Sequence, residues 1–222
     1  MSNINLYNQD CMEAMAGMPD KAYDLAIVDP PYGDQNFQGG GTHTKSNCKF
    51  GQMYRDGNAW NQVPVPAYFT ELFRVSVNQI IWGGNYFNLG PTRGFIIWDK
   101  IRFIENFSQV EFAWTSFDRQ PLLYRQCGNG GFITEAIDKP KISPTQKPVR
   151  LYEWLLKNYA KEGDKILDTH CGSGSILIAC DIMGYDIDAY EIDLEYYTAA
   201  KARLIRHQSQ GTLFTADGRD IA

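Results

Sequence analysis

The sequence predicts an α/β fold with a doubly wound, mostly parallel sheet, and two observations indicate it. In the last third of the chain a short apolar strand at 165–168, a glycine loop, a helical pattern and a second strand follow one another. A strand–helix–strand unit of this kind crosses over with a right hand and makes its two strands parallel. A second buried strand is predicted at 24–29 (DLAIVD), and it also ends in a carboxylate. We expect one domain over residues 1–222.

Helical and extended patterns alternate through the first part of the chain. Asp10 to Met18 carries a helical pattern that Pro19 ends. The polar stretch at 33–62 has no such pattern, and we expect a flexible substrate loop, because long irregular stretches in compact domains are usually functional or disordered. The remaining patterns predict a helix at about 66–77 and strands at 79–82, 94–98, 110–114 and 121–124.

The second part of the chain has clearer signals. We expect Thr145 to cap a helix in which apolar residues recur at helical spacing, with Pro148 in the first turn and Gly163 at the end. The patterns then predict a strand at 165–168, a helix at 176–184, a strand at 185–193 and a helix at 194–208.

Composition indicates a globular protein without a membrane span. Hydrophobic residues make up 44% and charged residues 21% of the chain. No apolar run approaches the roughly 20 residues that a membrane helix needs, and the N-terminus lacks a signal pattern. Five cysteines without paired CxxC spacing favour reduced thiols and no metal site. We therefore expect a cytoplasmic protein.

The charge of the chain bears on nucleic-acid binding. A net charge of −5 argues mildly against such a partner, because phosphate neutralisation favours basic proteins. Basic residues nevertheless concentrate in the middle of the chain, where they form either a nucleic-acid-binding face or an ordinary solvated face. They are Arg93, Lys100, Arg102, Arg119, Arg125, Lys139, Lys141, Lys147 and Arg150.

The glycine loop suits a nucleoside-bearing cofactor. Asp168, Gly172, Ser173 and Gly174 lie where a strand turns into a helix, and glycines there let the backbone pass close beneath a ligand. Glu191 ends the next strand, where it is placed to accept hydrogen bonds from ribose hydroxyls. The alternative is a tight structural turn with an acid at the strand end. The loop is neither a phosphate-binding GK[ST] loop nor GxGxxG, which argues against a dehydrogenase.

The motif DPPY at 29–32 suits the binding of an amino group. It follows a buried strand directly, and ligands bind at the carboxyl ends of strands in open α/β sheets. The Asp29 carboxylate and the Pro30 carbonyl are acceptors for two N–H donors, and Pro31 adds rigidity. Tyr32 offers a ring on which a planar base stacks. The alternative is a proline-rich turn without function.

These motifs together resemble the amino-group DNA methyltransferases. DPPY precedes the loop DTHCGSGS in the chain, and this order is similar to that of the beta group of the family. The resemblance covers most of residues 5–32 and 143–205, and more weakly 80–87 and 95–100. It implies a Rossmann-like methyltransferase sheet with permuted motif order and S-adenosyl-L-methionine as the cofactor.

The family pattern assigns roles to individual residues. The resemblance implies that Asp29, Pro30, Pro31 and Tyr32 are catalytic, and that Asp10 contacts the adenine region of the cofactor. The segment containing Thr145, Gln146 and Lys147 resembles one that lies against the methionine end. The full cofactor-binding set expected from the motifs is Asp10, Cys11, Thr145, Lys147, Asp168, His170, Cys171, Gly172, Ser173, Gly174 and Glu191.

The chain also departs from the family pattern. Ser143 stands where the family usually has His, and His170 stands where it usually has Phe. We interpret His170 as a packing residue rather than a base, and Cys171 as a small loop residue rather than a nucleophile. Cytosine-C5 methylation needs a Pro-Cys pair, which the chain lacks.

The resemblance implies methylation of an exocyclic amino group of a flipped-out DNA base. Asp at the start of the motif favours adenine N6, and cytosine N4 stays open because its enzymes more often carry Ser there. RNA or protein-glutamine N-methylation, typically with Asn first, is a further alternative, as is a catalytically silent binding module. The short target-recognition region at 117–142 predicts relaxed specificity or shared recognition. A homodimer and a restriction-endonuclease or recognition partner stay open.

Overall fold

The computed structural model describes residues 2–33, 62–101, 108–127, 136–139, 141–143 and 145–211. Apart from its two ends, the predicted substrate loop at 33–62 lies outside the described residues. Within the predicted target-recognition region, 128–135 and 140 lie outside them as well. Across the described ranges, no helix combines the length and the apolar character that crossing a membrane requires.

An eight-stranded sheet forms the centre of the molecule. In spatial order the strands run β1–β8–β7–β2–β3–β5–β4–β6, and β5 is antiparallel to both of its neighbours. All the other adjacent pairs are parallel, so the predicted mostly parallel sheet is confirmed. The strands are β1 (Ile4–Tyr7), β2 (Tyr23–Val28), β3 (Ser76–Trp82), β4 (Ile96–Asp99), β5 (Val110–Thr115), β6 (Leu122–Arg125), β7 (Lys165–Asp168) and β8 (Asp186–Tyr190).

Helices cover both faces of the sheet. Within the described residues the α-helices are α1 (Cys11–Ala16), α2 (Pro66–Val75), α3 (Val149–Tyr159), α4 (Ser175–Met183) and α5 (Leu194–Gly211). Strand β2 is buried on both sides: Leu25 and Ile27 pack in the cluster that includes α3 and α4, and Ala26 and Val28 pack in the cluster that includes α1 and α2. Burial on both faces explains its uninterrupted apolar run and confirms the doubly wound architecture.

Some predicted boundaries were wrong. Strand β3 begins at Ser76, inside the predicted helix, and β1 was not predicted. Thr145 does not cap α3, because Pro148 is still extended (φ −65°, ψ 146°) and the helix begins only at Val149. The Asp138 carboxylate accepts the Val149 N–H at 3.0 Å instead. Helix α3 then ends at Tyr159, before the predicted stop.

The winding of the chain reverses between β2 and β7. These two strands are adjacent and parallel, and each leads to a helix on a different face of the sheet: β7 to α4 and β2 to α2. Chains that leave adjacent strands in opposite directions open a crevice at the carboxyl ends, where α/β folds bind ligands. Both motifs found in the sequence lie at this point.

Candidate active site

The carboxyl ends of β2 and β7 bring the two motifs together. Leu25 pairs with Ile166 and Ala26 with Leu167, so the strands end side by side. Asp29 follows β2 directly and Asp168 ends β7. Residues separated by most of the chain therefore share one edge of the sheet, as the sequence predicted.

Both oxygen atoms of Asp29 have partners within the protein. The Tyr32 hydroxyl donates to Asp29 Oδ1 at 2.5 Å, and Lys147 Nζ donates to Asp29 Oδ2. The Asp29 side chain keeps 23% of its surface exposed, whereas Lys147 keeps 4%. The carboxylate is thus fixed in orientation while one side of it stays accessible.

Two aromatic side chains contact the ring of Tyr32. Its ring stacks on Tyr86 with centroids 5.0 Å apart and planes at 17°, and Phe87 meets it edge-on at 6.1 Å. Burial raises the pKa of Tyr32 well above its usual value, so the hydroxyl remains a donor to Asp29. The sequence did not predict a role for Tyr86, although it lies in the segment 80–87 that weakly resembled the family.

Lys147 belongs to a buried chain of alternating charges. Its Nζ lies 3.2 Å from Glu111 Oε2, and Lys100 Nζ lies 2.5 Å from Glu111 Oε1. Burial would lower the pKa of Lys147, but the Asp29 and Glu111 carboxylates outweigh it and raise that pKa. Burial would likewise raise the pKa of Glu111, but the two lysines lower it. Lys147 and Glu111 are therefore both charged at neutral pH.

The glycine loop is tied to the end of β8. Gly172 N–H donates to Glu191 Oε2 at 2.8 Å, and Asp193 N–H donates to Oε1 at 2.9 Å. Gly172 (φ +53°) and Gly174 (φ +74°) both adopt the left-handed conformation that favours glycine. A Cβ atom on Gly172 would meet nothing nearer than the His170 carbonyl at 4.0 Å, so this side of the loop is open to a ligand. The residues present thus fit a nucleoside-bearing cofactor.

Asp168 has an unusual electrostatic environment. Burial raises its pKa to about 8, and the charges of Asp29 and Glu191 act in the same direction. The His170 N–H, which donates to Asp168 Oδ1 at 3.0 Å, opposes the shift only in part. Carboxyl groups gathered in this way favour a ligand that brings positive charge.

His170 and Cys171 carry no charge at neutral pH. Burial lowers the pKa of His170 to about 4, and its ring meets Tyr68 edge-on at 5.3 Å. Its Nδ1 lies 2.9 Å from Thr169 Oγ1. Burial also raises the pKa of the Cys171 thiol well above its usual value. These environments suit packing residues better than a base or a nucleophile.

The structure gives three further residues of the predicted set, Asp10, Cys11 and Thr145, the following local environments. Asp10 caps α1, since its Oδ1 accepts the N–H groups of Met12 at 2.7 Å and Glu13 at 3.2 Å. Burial raises the pKa of Cys11 to about 12. The Thr145 hydroxyl lies 3.0 Å from the Ser143 hydroxyl.

Arg203, on α5, donates hydrogen bonds to the glycine loop and to the residues that follow it. Its Nη1 donates to the Ser173 carbonyl at 3.1 Å and to Ser175 Oγ at 2.9 Å. Its Nη2 donates to the Ile137 carbonyl at 3.1 Å and to Asp138 Oδ1 at 3.2 Å. Asp138 also holds the start of α3, so one buried arginine links three segments around the site. Helical spacing alone gave no signal for this role.

Two of the basic residues of the middle segment lie in the interior, and two others are paired at the surface. Lys100 and Lys147 are buried in the charged chain. Arg93 lies 3.1 Å from Asp118, and Arg125 lies 3.1 Å from Asp99. Arg102 lies outside the described residues. Two of the cations expected on a nucleic-acid-binding face are therefore buried inside the protein.

Fold and site together define the general class. A doubly wound sheet with a glycine loop on one central strand and DPPY on its neighbour is the arrangement of a Rossmann-like methyltransferase fold with permuted motif order.

Comparisons with known proteins narrow this class. The family model N6_N4_Mtase, described as DNA methylase, matches residues 114–202, which contain the glycine loop but not DPPY. The type II methyltransferase M.HpaI of Haemophilus parainfluenzae is 24% identical over 88% of this chain and 72% of its own length. The resemblance to the amino-group DNA methyltransferases is therefore confirmed.

Solved structures share the fold. The crystal structure of an M1.HpyAVI–SAM complex has a TM-score of 0.58 at 20% identity, covering 90% of this chain and 99% of that chain. The cytosine-N4-specific PvuII DNA methyltransferase has a TM-score of 0.56 at 15% identity, covering 91% of this chain and 87% of that chain. At these identities the likeness establishes the fold.

Proposed function

We propose that this chain transfers a methyl group from S-adenosyl-L-methionine to an exocyclic amino nitrogen of a DNA base, with adenine N6 as the acceptor. The observation that carries the proposal is the meeting of Asp29 and the glycine loop at the switch point between β2 and β7. One motif suits an amino group and the other a nucleoside cofactor. Their adjacency supports transfer between the two ligands.

The acceptor half of the site consists of Asp29, Pro30 and Tyr32. A flipped base donates its two amino N–H groups to Asp29 and to the Pro30 carbonyl, after unstacking that costs a few kcal/mol. Asp29 Oδ1 has room for this, because a carboxylate oxygen accepts more than one hydrogen bond. Both bonds hold the nitrogen lone pair out of the ring conjugation and aim it at the cofactor. Tyr32 supports this arrangement through its hydroxyl, which donates to Asp29 Oδ1, while its ring is already stacked on Tyr86.

The donor half consists of Asp168, the loop 170–174 and Glu191. S-adenosyl-L-methionine supplies an electrophilic methyl group on a sulfonium sulfur. Glu191 binds the ribose hydroxyls, and the open side of Gly172 lets the backbone approach the cofactor. Because the acceptor is an amine, Asp29 does not need to remove a proton before the transfer. Its role is to orient the amine and to take up the proton after the new carbon–nitrogen bond forms. Positioning of this kind supplies up to about 7–11 kcal/mol of the barrier reduction.

Transfer of tritiated methyl groups from the cofactor to unmethylated DNA, followed by nucleoside chromatography, tests the proposal. Label in N6-methyladenine supports it. Label in RNA or in protein glutamine, with none in DNA, would show that the acceptor is RNA or protein and not a DNA base. Cofactor binding without transfer to any acceptor would instead indicate a silent binding module.

Cytosine N4 is the second candidate, and the shared fold with the cytosine-N4-specific PvuII enzyme favours it. The chemistry at the amino group would be unchanged, since N4 of cytosine also has two N–H donors. The same chromatogram separates the two products.

The Asp29→Ala variant tests the residue at the centre of the proposal. We expect it to abolish methyl transfer while cofactor affinity survives, because Asp29 acts on the acceptor. Asp24→Ala is the control, since Asp24 lies at the start of β2, away from the site, where its carboxylate accepts the Lys165 N–H at 2.9 Å. An active Asp29→Ala protein would exclude the mechanism.

A further inference from the structure

The buried charges behind Asp29 extend the site beyond the two motifs. From Asp29 the contacts run to Lys147, then to Glu111 on β5, then to Lys100 after β4. The family pattern implied that Lys147 serves the cofactor. In the structure its ammonium instead contacts the carboxylate that the proposed function assigns to the acceptor.

Burying these charged side chains costs free energy unless each one is paired with an opposite charge. The Lys147 side chain keeps 4% of its surface exposed and Lys100 keeps 9%. Isolated buried charges are strongly unfavourable, and removing one member of a buried pair leaves the other uncompensated. The Lys147 ammonium also lies 5.2 Å from the centre of the Trp82 ring, which favours a cation at this position.

The geometry distinguishes the two oxygens of Asp29. Oδ1 accepts the neutral Tyr32 hydroxyl, whereas Oδ2 accepts the buried ammonium of Lys147. Glu111 is the second carboxylate in contact with the same ammonium, with Oε2 at 3.2 Å. Lys100 completes the chain by neutralising Glu111.

We propose that Lys147 and Glu111 are positioning residues for methyl transfer: Lys147 fixes the Asp29 carboxylate against the acceptor amine, and Glu111 fixes Lys147. This inference rests on the proposed function. It assigns to Lys147 the acceptor side of the reaction rather than the cofactor, and it brings β5 into the site.

Kinetics separate this role from a cofactor-binding role. We expect Lys147→Met to lower single-turnover methyl transfer at saturating cofactor by roughly 100-fold, the cost of a misplaced reacting group. The dissociation constant for S-adenosyl-L-methionine should stay within about threefold, because the energy lost belongs to the acceptor side. Lys147→Arg should restore part of the rate. Weaker cofactor binding with an unchanged saturated rate would overturn the proposal.

Glu111→Gln keeps the shape of the side chain and removes its charge. We expect roughly 10-fold slower transfer, as for other residues that orient a catalytic group through a partner. Lys165→Met is the control, because Lys165 also pairs with a carboxylate (Asp188, 2.7 Å) and lies over an aromatic ring (Tyr23, 4.7 Å), but it lies at the amino end of β7 with 45% of its side chain exposed. A Glu111→Gln rate equal to that of the parent would exclude the role of Glu111.

A second measurement does not require turnover. In protein with isotope-labelled lysine, the ammonium signal of Lys147 should shift in Asp29→Asn and in Glu111→Gln, while that of Lys165 should not. Absence of any shift would overturn the contacts themselves. If the parent methylates no acceptor at all, the proposed function fails and the positioning role fails with it. If the parent is active and Glu111→Gln matches it, only the positioning role fails.

Discussion

Gly83 packs flat against the ring of Tyr32. A Cβ atom on Gly83 would lie 2.1 Å from Tyr32 Cε1 and 2.5 Å from both neighbouring ring carbons, which places it over the ring face. Gly83 also has φ +67°, so neither its space nor its backbone conformation admits a side chain. The position of the Tyr32 ring therefore depends on a residue that is distant in sequence.

Gly83→Ala should displace Tyr32 and, through its hydroxyl, Asp29. We expect methyl transfer to fall by roughly 100-fold, since small displacements of reacting groups have effects of this size. Gly90→Ala is the control, because Gly90 has φ +71° but nothing within 4 Å of its Cβ position. It should cost about 1–2 kcal/mol of stability from the backbone alone and leave the rate unchanged. Equal rates for the two variants would contradict the steric argument.

Asp168→Asn should stabilise the cofactor-free protein at alkaline pH. The folded-state pKa of Asp168, raised to about 8, lies above its unfolded value, so its contribution to stability is largest below the unfolded pKa and is lost as pH rises through about 8. Asn does not ionise and escapes this loss. Thermal unfolding of both proteins should show an advantage for the variant that grows from about pH 4 to pH 8. An advantage independent of pH would contradict the shifted pKa.

His170→Phe should show the opposite pH dependence. The folded-state pKa of His170, lowered to about 4, lies below its unfolded value, so stability is lost as pH falls from the unfolded pKa toward about 4. Phe removes this loss, and the stability of the variant relative to the parent should increase on acidification. We also expect the saturated rate of methyl transfer to change little. A large loss of rate would mean that His170 takes part in the chemistry.

Arg203→Met should destabilise the protein strongly. The Arg203 and Asp138 side chains keep 2% and 1% of their surfaces exposed, and breaking such a buried pair costs about 3–5 kcal/mol. Arg93→Met, at an ion pair whose side chains are 67% and 84% exposed, should cost at most about 1 kcal/mol. Denaturant titrations of both variants give the comparison. Similar losses of unfolding free energy in the two variants would show that burial does not determine how much the Arg203–Asp138 pair contributes to stability.

Much of the fold followed from the sequence, because strongly apolar strands and a glycine loop are local signals. Strand β1 was missed because only Ile4 and Leu6 are apolar and it lies at the edge of the sheet, where its other face is exposed. The start of α3 was misplaced because its first amide is capped by Asp138, a residue outside the local pattern.

The site was predictable only where a motif is contiguous. DPPY and the glycine loop could be found because each is one short segment. Glu111 could not be found, since it is a single acid in a strand whose partner, Lys147, lies on another segment. Nothing in the sequence marks a lysine as buried, so Lys147 and Lys100 were both counted among the surface cations, although Lys147 was also assigned to the cofactor segment.

The reversal between β2 and β7 has a consequence for how such a chain tolerates change. The two reacting halves meet through neighbouring strands and not through the connection between them, which includes β3 to β6 and the segments outside the described residues. Insertions or deletions in the parts of that connection that do not carry Gly83, Glu111 or Lys147 are expected to leave the spacing of Asp29 and Asp168 unaltered. The length of that connection can therefore vary without moving the two motifs apart.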